Sequence, residues 1–425
     1  MTEPWRDVTM ADVMQEFYDG PHATPAPASE GPVYLGIKNM TEDGHLDLAE
    51  IRHIAESDYK TWTRRVEPRR GDVVFTYEAS LHRYAIIPEG FRGTLGRRVA
   101  LLRPRGDTVD TRFLLYLFIS PAWRRTVQRR INVGSTVDRL PLTDFPKFPL
   151  RLPPLATQRK IASILSAYDD LIGNNDRRIK ILEEMAQRIY HEWFVEFGYP
   201  GHESVPLIDS ELGPIPETWS VRRMDEVADV IDCLHSKKPD ATDLGAGILL
   251  QLFNIASGGM VDLSQSYLIS ALDYEQWTSR IELCSGDCVV TNVGRIAAVA
   301  QIPRGLVAAP GRNMTAIRPR AIPPTYLLQY LLSEHMDHEV QRKKDAGSIM
   351  DALNVKGIVK LAVPVPDDAL AARFEHLARP IRSDMELLVA TQQNLRATRD
   401  LLLPRLVSGE IDVTDLDIEL PDLVA

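Results

Sequence analysis

A chain of 425 residues exceeds the usual span of one domain and predicts two or three. Hydrophobic residues make up 44% and charged residues 25%, ordinary globular values, and no run reaches about 18 apolar residues, so membrane insertion is not expected. Three cysteines (Cys233, Cys284, Cys288) form no disulfide framework and fit a reducing cytoplasm, while the net charge of −10 argues against bulk electrostatic attraction to nucleic acid.

In chain order, the first stretch, MTEPWRDVTMADVMQEFYDG, has neither the basic start nor the apolar run of a signal peptide, so a cytoplasmic protein is expected. Residues 1–59 hold 3 basic and 12 acidic side chains, whereas residues 60–151 hold 19 basic and 8 acidic ones. Residues 295–320 carry five arginines and no acid, and residues 408–425 carry six acids and no base. On composition alone a solvated mixed surface accounts for these runs.

The chain is a tandem repeat. Shifted by 215, residues 39–105 align with 254–320 without a gap, and 24 of the 67 positions are identical. DYKTWTRRVEPRRGDVVFT (58–76) lies on DYEQWTSRIELCSGDCVVT (273–291). At a shift of 213 the match extends to Asp19/His22 on Asp232/His235 and to GSTVDRL (134–140) on GSIMDAL (347–353). Such a period is too long for a solenoid unit and marks a duplicated domain. In each copy, β-branched runs after a glycine (Asp72–Thr76, Asp287–Thr291) predict strands, and residues 112–130 and 325–344 predict helices, giving an α+β domain.

After Pro153-Pro154 the period changes. Ile161, Leu165, Tyr168, Ile172, Asn175, Ile179, Leu182, Ala186, Ile189 and Trp193 recur in alternating four- and three-residue steps, a heptad seam with one polar entry. Adding 213 gives Phe374, Ala378, Ile381, Met385, Leu388, Gln392, Leu395, Arg399, Leu402 and Leu406, a second stripe with two polar entries. Each helix would run roughly 60 Å at 1.5 Å per residue. Two such stripes bury most economically against each other, so the fold expected is two mixed α/β domains (1–153 and 219–366), each followed by a long helix (154–197 and 367–407), the helices pairing as an antiparallel coiled coil. The Gly/Pro/Ser-rich 198–218 reads as a linker and 408–425 as an acidic tail.

Catalytic signatures are missing from the sequence. It contains no GxxxxGK[ST] loop, no GxGxxG after a strand, no N-P-P-[FY] and no HExxH. Cys284 and Cys288 have Arg69 and Val73 as counterparts, which favours filled positions near a strand over metal ligands, and no metal is expected. The repeated Asp–His pairs suit a turn or contact loop better than acid–base work, since no nucleophile accompanies them.

LPPLATQRKIASILSAYDDLIGNNDRRIKILEEMAQRIYHEWFVEF (152–197), ELGPIPETW (211–219) and the twin GDVV/GDCV strands together resemble the specificity subunit of type I restriction–modification systems, over nearly the whole chain. The resemblance implies that each domain reads one half of a bipartite asymmetric site on double-stranded DNA, with the coiled coil setting the unread gap. It also implies two methyltransferase (modification) subunits docked on the helices, and restriction/translocase subunits joined through them. S-adenosylmethionine, ATP and the catalytic motifs would belong to those partners, leaving this chain non-catalytic and without a cofactor of its own. A nuclease or methyltransferase with an unrecognised site, and a coiled-coil scaffold that binds only proteins, are the rival readings.

Arginine pairs with guanine, asparagine with adenine, and other basic groups position phosphates. On that basis the expected DNA contacts in the first domain are His22, Thr24, Tyr77, Ser80, His82, Arg83, Arg97 and Arg98. In the second they are His235, Lys237, Lys238, Asn292, Arg295, Arg312 and Asn313. Each of these positions is also compatible with a plain solvated surface. The loop 76–86 lacks the glycine that 291–301 carries at Gly294, which leaves its geometry open. Arg103/Arg318 and Arg105/Arg320, identical in both copies, fit a buttress or a phosphate contact better than base reading.

Overall fold

A computed structural model describes residues 4–131, 137–343 and 352–418. Most of the repeated GSTVDRL/GSIMDAL segment and the last residues of the acidic tail lie outside them. The chain divides into two compact units, residues 1–173 with 394–425, and residues 174–393.

The first unit is built on β1 (Met14–Asp19), β2 (Val73–Thr76), β3 (Tyr84–Ile86) and β4 (Val99–Pro104), an antiparallel sheet in the order β1-β4-β2-β3. Its strands alternate between two cores, as a period of two requires. Val73, Phe75, Ala100 and Leu102 face a core with Phe113, Leu114 and Phe118, whereas Val74, Ala85 and Leu101 face one with Leu35 and Met40. The run 112–130, read as one helix, is two: Thr111–Ile119 and Pro121–Gln128. The break has a local cause, since Pro121 cannot donate to the preceding turn and Ser120 Oγ caps the new one by accepting from Trp123 N.

In the second unit β5 (Ala228–Asp232), β6 (Cys288–Thr291), β7 (Val299–Gln301) and β8 (Met314–Pro319) repeat that order as β5-β8-β6-β7. Here too the expected single helix is two, Pro324–Leu331 and Glu334–Lys343, divided where Ser333 Oγ accepts from Met336 N. The segment read as a linker is partly folded. It contains a hairpin of Leu207–Ser210 with Gly213–Pro216, and it buries Tyr199 and Ile215 beside Trp219.

The long helices are Leu155–Phe194 and Asp368–Ser408. Within the first unit, Ile161 and Leu165 are fully buried in one core with Leu403, Leu406 and Val407. Within the second, Trp193 and Phe194 pack on Phe374, ring centroids 6.2 and 5.0 Å apart, while Gln392 Nε2 donates to Asp176 Oδ1. Low numbers on one helix meet high numbers on the other in each unit, so the pairing is antiparallel. Along the seam, Ile161, Leu165, Ile172, Asn175, Trp193, Phe374, Met385 and Leu388 are buried. Tyr168, Ile179, Leu182, Ile189, Ile381, Leu395 and Leu402 are half-buried. Leu171, Ile181, Met185, Leu387 and Leu401, off the seam, are exposed. No helix among the described residues is long and apolar enough to cross a membrane.

Candidate nucleic-acid interface

Strand register fixes where the expected contact residues fall. Asp19 pairs with Ala100, Thr76 with Val99 and Phe75 with Tyr84, so the loops after β1, between β2 and β3, and before β4 leave the same end of the sheet. In the second unit Asp232 pairs with Thr315, Thr291 with Met314 and Val290 with Val299, which collects the equivalent loops. Every expected DNA contact belongs to one of these loops.

The turn after β2 is the same in both units. Thr76 Oγ1 donates to Ser80 O, and Thr291 Oγ1 to Arg295 O. Ala79 takes a left-handed φ of 71° where Gly294 has 86°, so the missing glycine does not change the geometry. His82 and Ala297 (φ 65° and 58°) and Arg98 and Asn313 (68° and 61°) match in the same way.

Four of the expected DNA contacts are also tied into the fold. Tyr77 is buried, and burial together with a hydrogen bond to Asp19 raises its phenol well above the usual range. Asn292 is buried and its Nδ2 donates to Thr315 Oγ1 (2.9 Å) and Leu353 O (2.8 Å). Arg83 Nη1 donates to Met40 O (3.0 Å) and Arg295 Nη1 to Ile255 O (2.8 Å). Met40 and Ile255 are equivalent positions, whereas Arg83 and Arg295 are not. Ser80 and His82 are half-buried; burial first, then Arg124, lowers the His82 pKa.

The other expected residues remain at the surface. His22 Nε2 sits 2.9 Å from Asp19 Oδ2, and His235 Nε2 sits 2.8 Å from Asp232 Oδ2. A cleft of about 450 Å³ beside the first pair is lined by Asp19, His22, Trp62, Arg64 and Arg65. A second, of about 440 Å³, gathers Thr24, Lys38, Arg52, Arg97 and Arg98. Arg98 Nε also meets Glu78 Oε1 at 2.8 Å. In the second unit Lys237, Arg312 and Asn313 are exposed, and Lys238 Nζ lies 3.7 Å over the Tyr267 ring. The sequence reading missed Lys38, Arg52, Arg64, Arg65 and Arg280. Arg65 and Arg280 are a repeated pair, so the duplication itself carried a signal for them: Arg65 Nη1 reaches Asp19 O, and Arg280 Nη1 reaches Cys233 O at 2.8 Å.

Asp232, Cys233 and His235 bring potential metal-ligand atoms within 4.8 Å of one another among the described residues. Arg280 already places its cation 3.7 Å from Asp232 Oδ2, and burial pushes the Cys233 thiol up, away from the thiolate a metal requires. Burial likewise pushes the Cys288 thiol up to about 12. At the far end of each sheet Arg103 is bidentate to Asp72 (2.8 and 2.9 Å) and Arg318 to Asp287 (2.8 and 2.6 Å), a repeated buttress.

The two units thus share a duplicated α+β frame beside an antiparallel helical seam, each with polar, basic loops gathered at one end of its sheet. The family model described as the type I restriction modification DNA specificity domain matches residues 55–184, and over most of its length the chain is similar to type I restriction enzyme specificity subunits. It is 25% identical over 374 residues to the Type I restriction enzyme MjaIX specificity subunit of Methanocaldococcus jannaschii, covering 86% of this chain and 83% of that protein. The MjaVIII specificity subunit of the same organism is 22% identical over 374 residues, covering 86% and 84%. In fold the chain is similar to the crystal structure of the type I restriction-modification system S subunit from M. genitalium, with a TM-score of 0.61 at 13% identity, covering 95% of this chain and 96% of that one.

Proposed function

We propose that this chain supplies sequence choice, and no catalysis, to a type I restriction–modification complex. Each unit reads one half of a bipartite, asymmetric site on double-stranded DNA. Two modification subunits dock on the helices, and restriction subunits join through them. The observation that carries the reading is the contrast within the repeat. The sheet, its Asp–Arg buttress and the turn geometry recur, while the residues on the turns differ: exposed Thr24 against Lys237, exposed Lys38 against Phe253, and half-buried Arg98 against exposed Asn313. A common frame with different exposed tips suits two unlike half-sites. The acidic balance elsewhere discourages nonspecific adhesion to phosphate, so the isolated chain is expected to bind DNA weakly.

The test is methylation mapping by single-molecule sequencing in cells with and without the chain, with the modification subunits present in both. A two-part motif that vanishes without the chain supports the reading, and an unchanged pattern overturns it. Purified alone, with Mg²⁺ or a methyl donor, the chain is expected to show no turnover; turnover would make it an enzyme in its own right.

A further inference from the structure

Phe253 stands on the short turn Leu252–Asn254 in the second unit, 51% exposed. The turn beneath it is rigid. Asn254 is fully buried, its Oδ1 accepts from Gln251 N (2.8 Å), and its Nδ2 donates to Asp262 O and Gln265 O (2.6 and 2.8 Å). In the first unit Asn39 makes the same three bonds to Gly36, Asp47 and Glu50, and the residue in the place of Phe253 is Lys38. Lys38 lines the cationic cleft with Arg97 and Arg98.

The surroundings of Phe253 belong to the loop end of its sheet. The Arg295 guanidinium binds Ile255 O, two residues on. Gly311, next to exposed Arg312, is packed so closely on Leu250 O that a Cβ there would lie 1.8 Å away. A large aromatic ring therefore projects from a fixed turn between two loops that carry arginine. Cations draw in a phosphate backbone, and an apolar ring among them has one feature of the major groove to recognise, the 5-methyl group of thymine.

Resting on the functional reading above, we infer that Phe253 is a specificity-determining residue that contacts a thymine methyl in the half-site read by the second unit. Lys38, at the same place in the first unit, contacts phosphate instead.

The experiment uses the complex of this chain with its modification subunits and a fluorescent duplex carrying the motif mapped for the wild type. Thymines are replaced one at a time by deoxyuridine, which lacks only the methyl. At one thymine the replacement is expected to weaken wild-type binding about fourfold, the factor for one methyl-sized apolar group. The Phe253→Ala complex is expected to be indifferent to that replacement while responding as wild type does at every other thymine. Lys38→Ala is expected to flatten the salt dependence by about one counterion and leave the motif unchanged. A motif without thymine, or equal loss in wild type and Phe253→Ala at every position, overturns the inference. Absence of any motif for the wild-type complex strikes instead at the functional reading.

Discussion

Arg399 Nη1 lies 2.6 Å from Asp169 Oδ1, so a polar residue that interrupts the second heptad stripe meets its counter-charge on the antiparallel helix. Asp169 Oδ2 also accepts from Tyr116 OH at 2.6 Å, which ties the helix to the α+β domain of the first unit. Removing the carboxylate takes one of two counter-charges from a largely buried guanidinium, which keeps Asp400, and deprives the buried Tyr116 hydroxyl of its acceptor. Asp169→Ala is expected to lower unfolding free energy by about 2 kcal/mol, and Asp169→Asn by clearly less because it keeps an acceptor. Urea denaturation checks this, and coincident curves for Asp169→Ala and wild type would refute it.

Nearby, His45 Nδ1 faces Asp43 Oδ1 at 3.4 Å. Its hydrogen bond to Asp43, opposed by burial and reinforced by the charges of Asp43 and Asp169, raises its pKa above the ordinary 6.5. A raised folded value means the stabilisation is complete below 6.5 and is lost as pH climbs through that folded value. The urea midpoint of wild type should exceed that of His45→Gln most at about pH 5.5, with the gap narrowing above neutrality. A gap that widens with pH would contradict this assignment.

Ala79 holds a left-handed backbone where its repeat partner is Gly294. That conformation costs a residue with a Cβ about 1 kcal/mol, so Ala79→Gly is expected to stabilise the first unit by somewhat less than that and Gly294→Ala to destabilise the second by about as much. Thermal denaturation of both variants decides it; shifts in the same direction would exclude a shared turn geometry.

Arg295 and Arg312 divide along structural lines. Arg295→Ala frees Ile255 O and is expected to lower stability by about 1 kcal/mol as well as altering methylation. Arg312→Ala removes an exposed side chain and is expected to change the methylated motif, or weaken DNA binding, with no shift in melting temperature. An intact motif with Arg312→Ala would remove that residue from the reading surface.

Much of the scaffold was legible in the sequence because its signals are local or repeated. The heptad stripe is a one-dimensional period, and GDVV/GDCV names its own strand twice. The Ser120-Pro121 break was equally available, but the apolar content of 112–130 masked it. The interface was less legible, since Arg83 and Arg295 bind carbonyls 43 and 40 residues away in sequence, and no neighbouring pattern marks such a partner. Tyr77 and Asn292 look like reading residues by type. Only the closing of Leu140 and Leu353 over the sheet end, through their N–H bonds to Tyr77 O and Asn292 O, shows that those side chains sit inside.

Met40 O and Ile255 O are one anchor point served from two different places, by Arg83 beyond the turn and by Arg295 within it. The clamp can thus migrate along the loop without the frame loosening. A lineage passing through a turn with both arginines could drop either one and release that position to meet a new nucleotide. Grafting the second turn onto the first domain should succeed when its own arginine travels with it, and should leave a gaping loop when it is left behind.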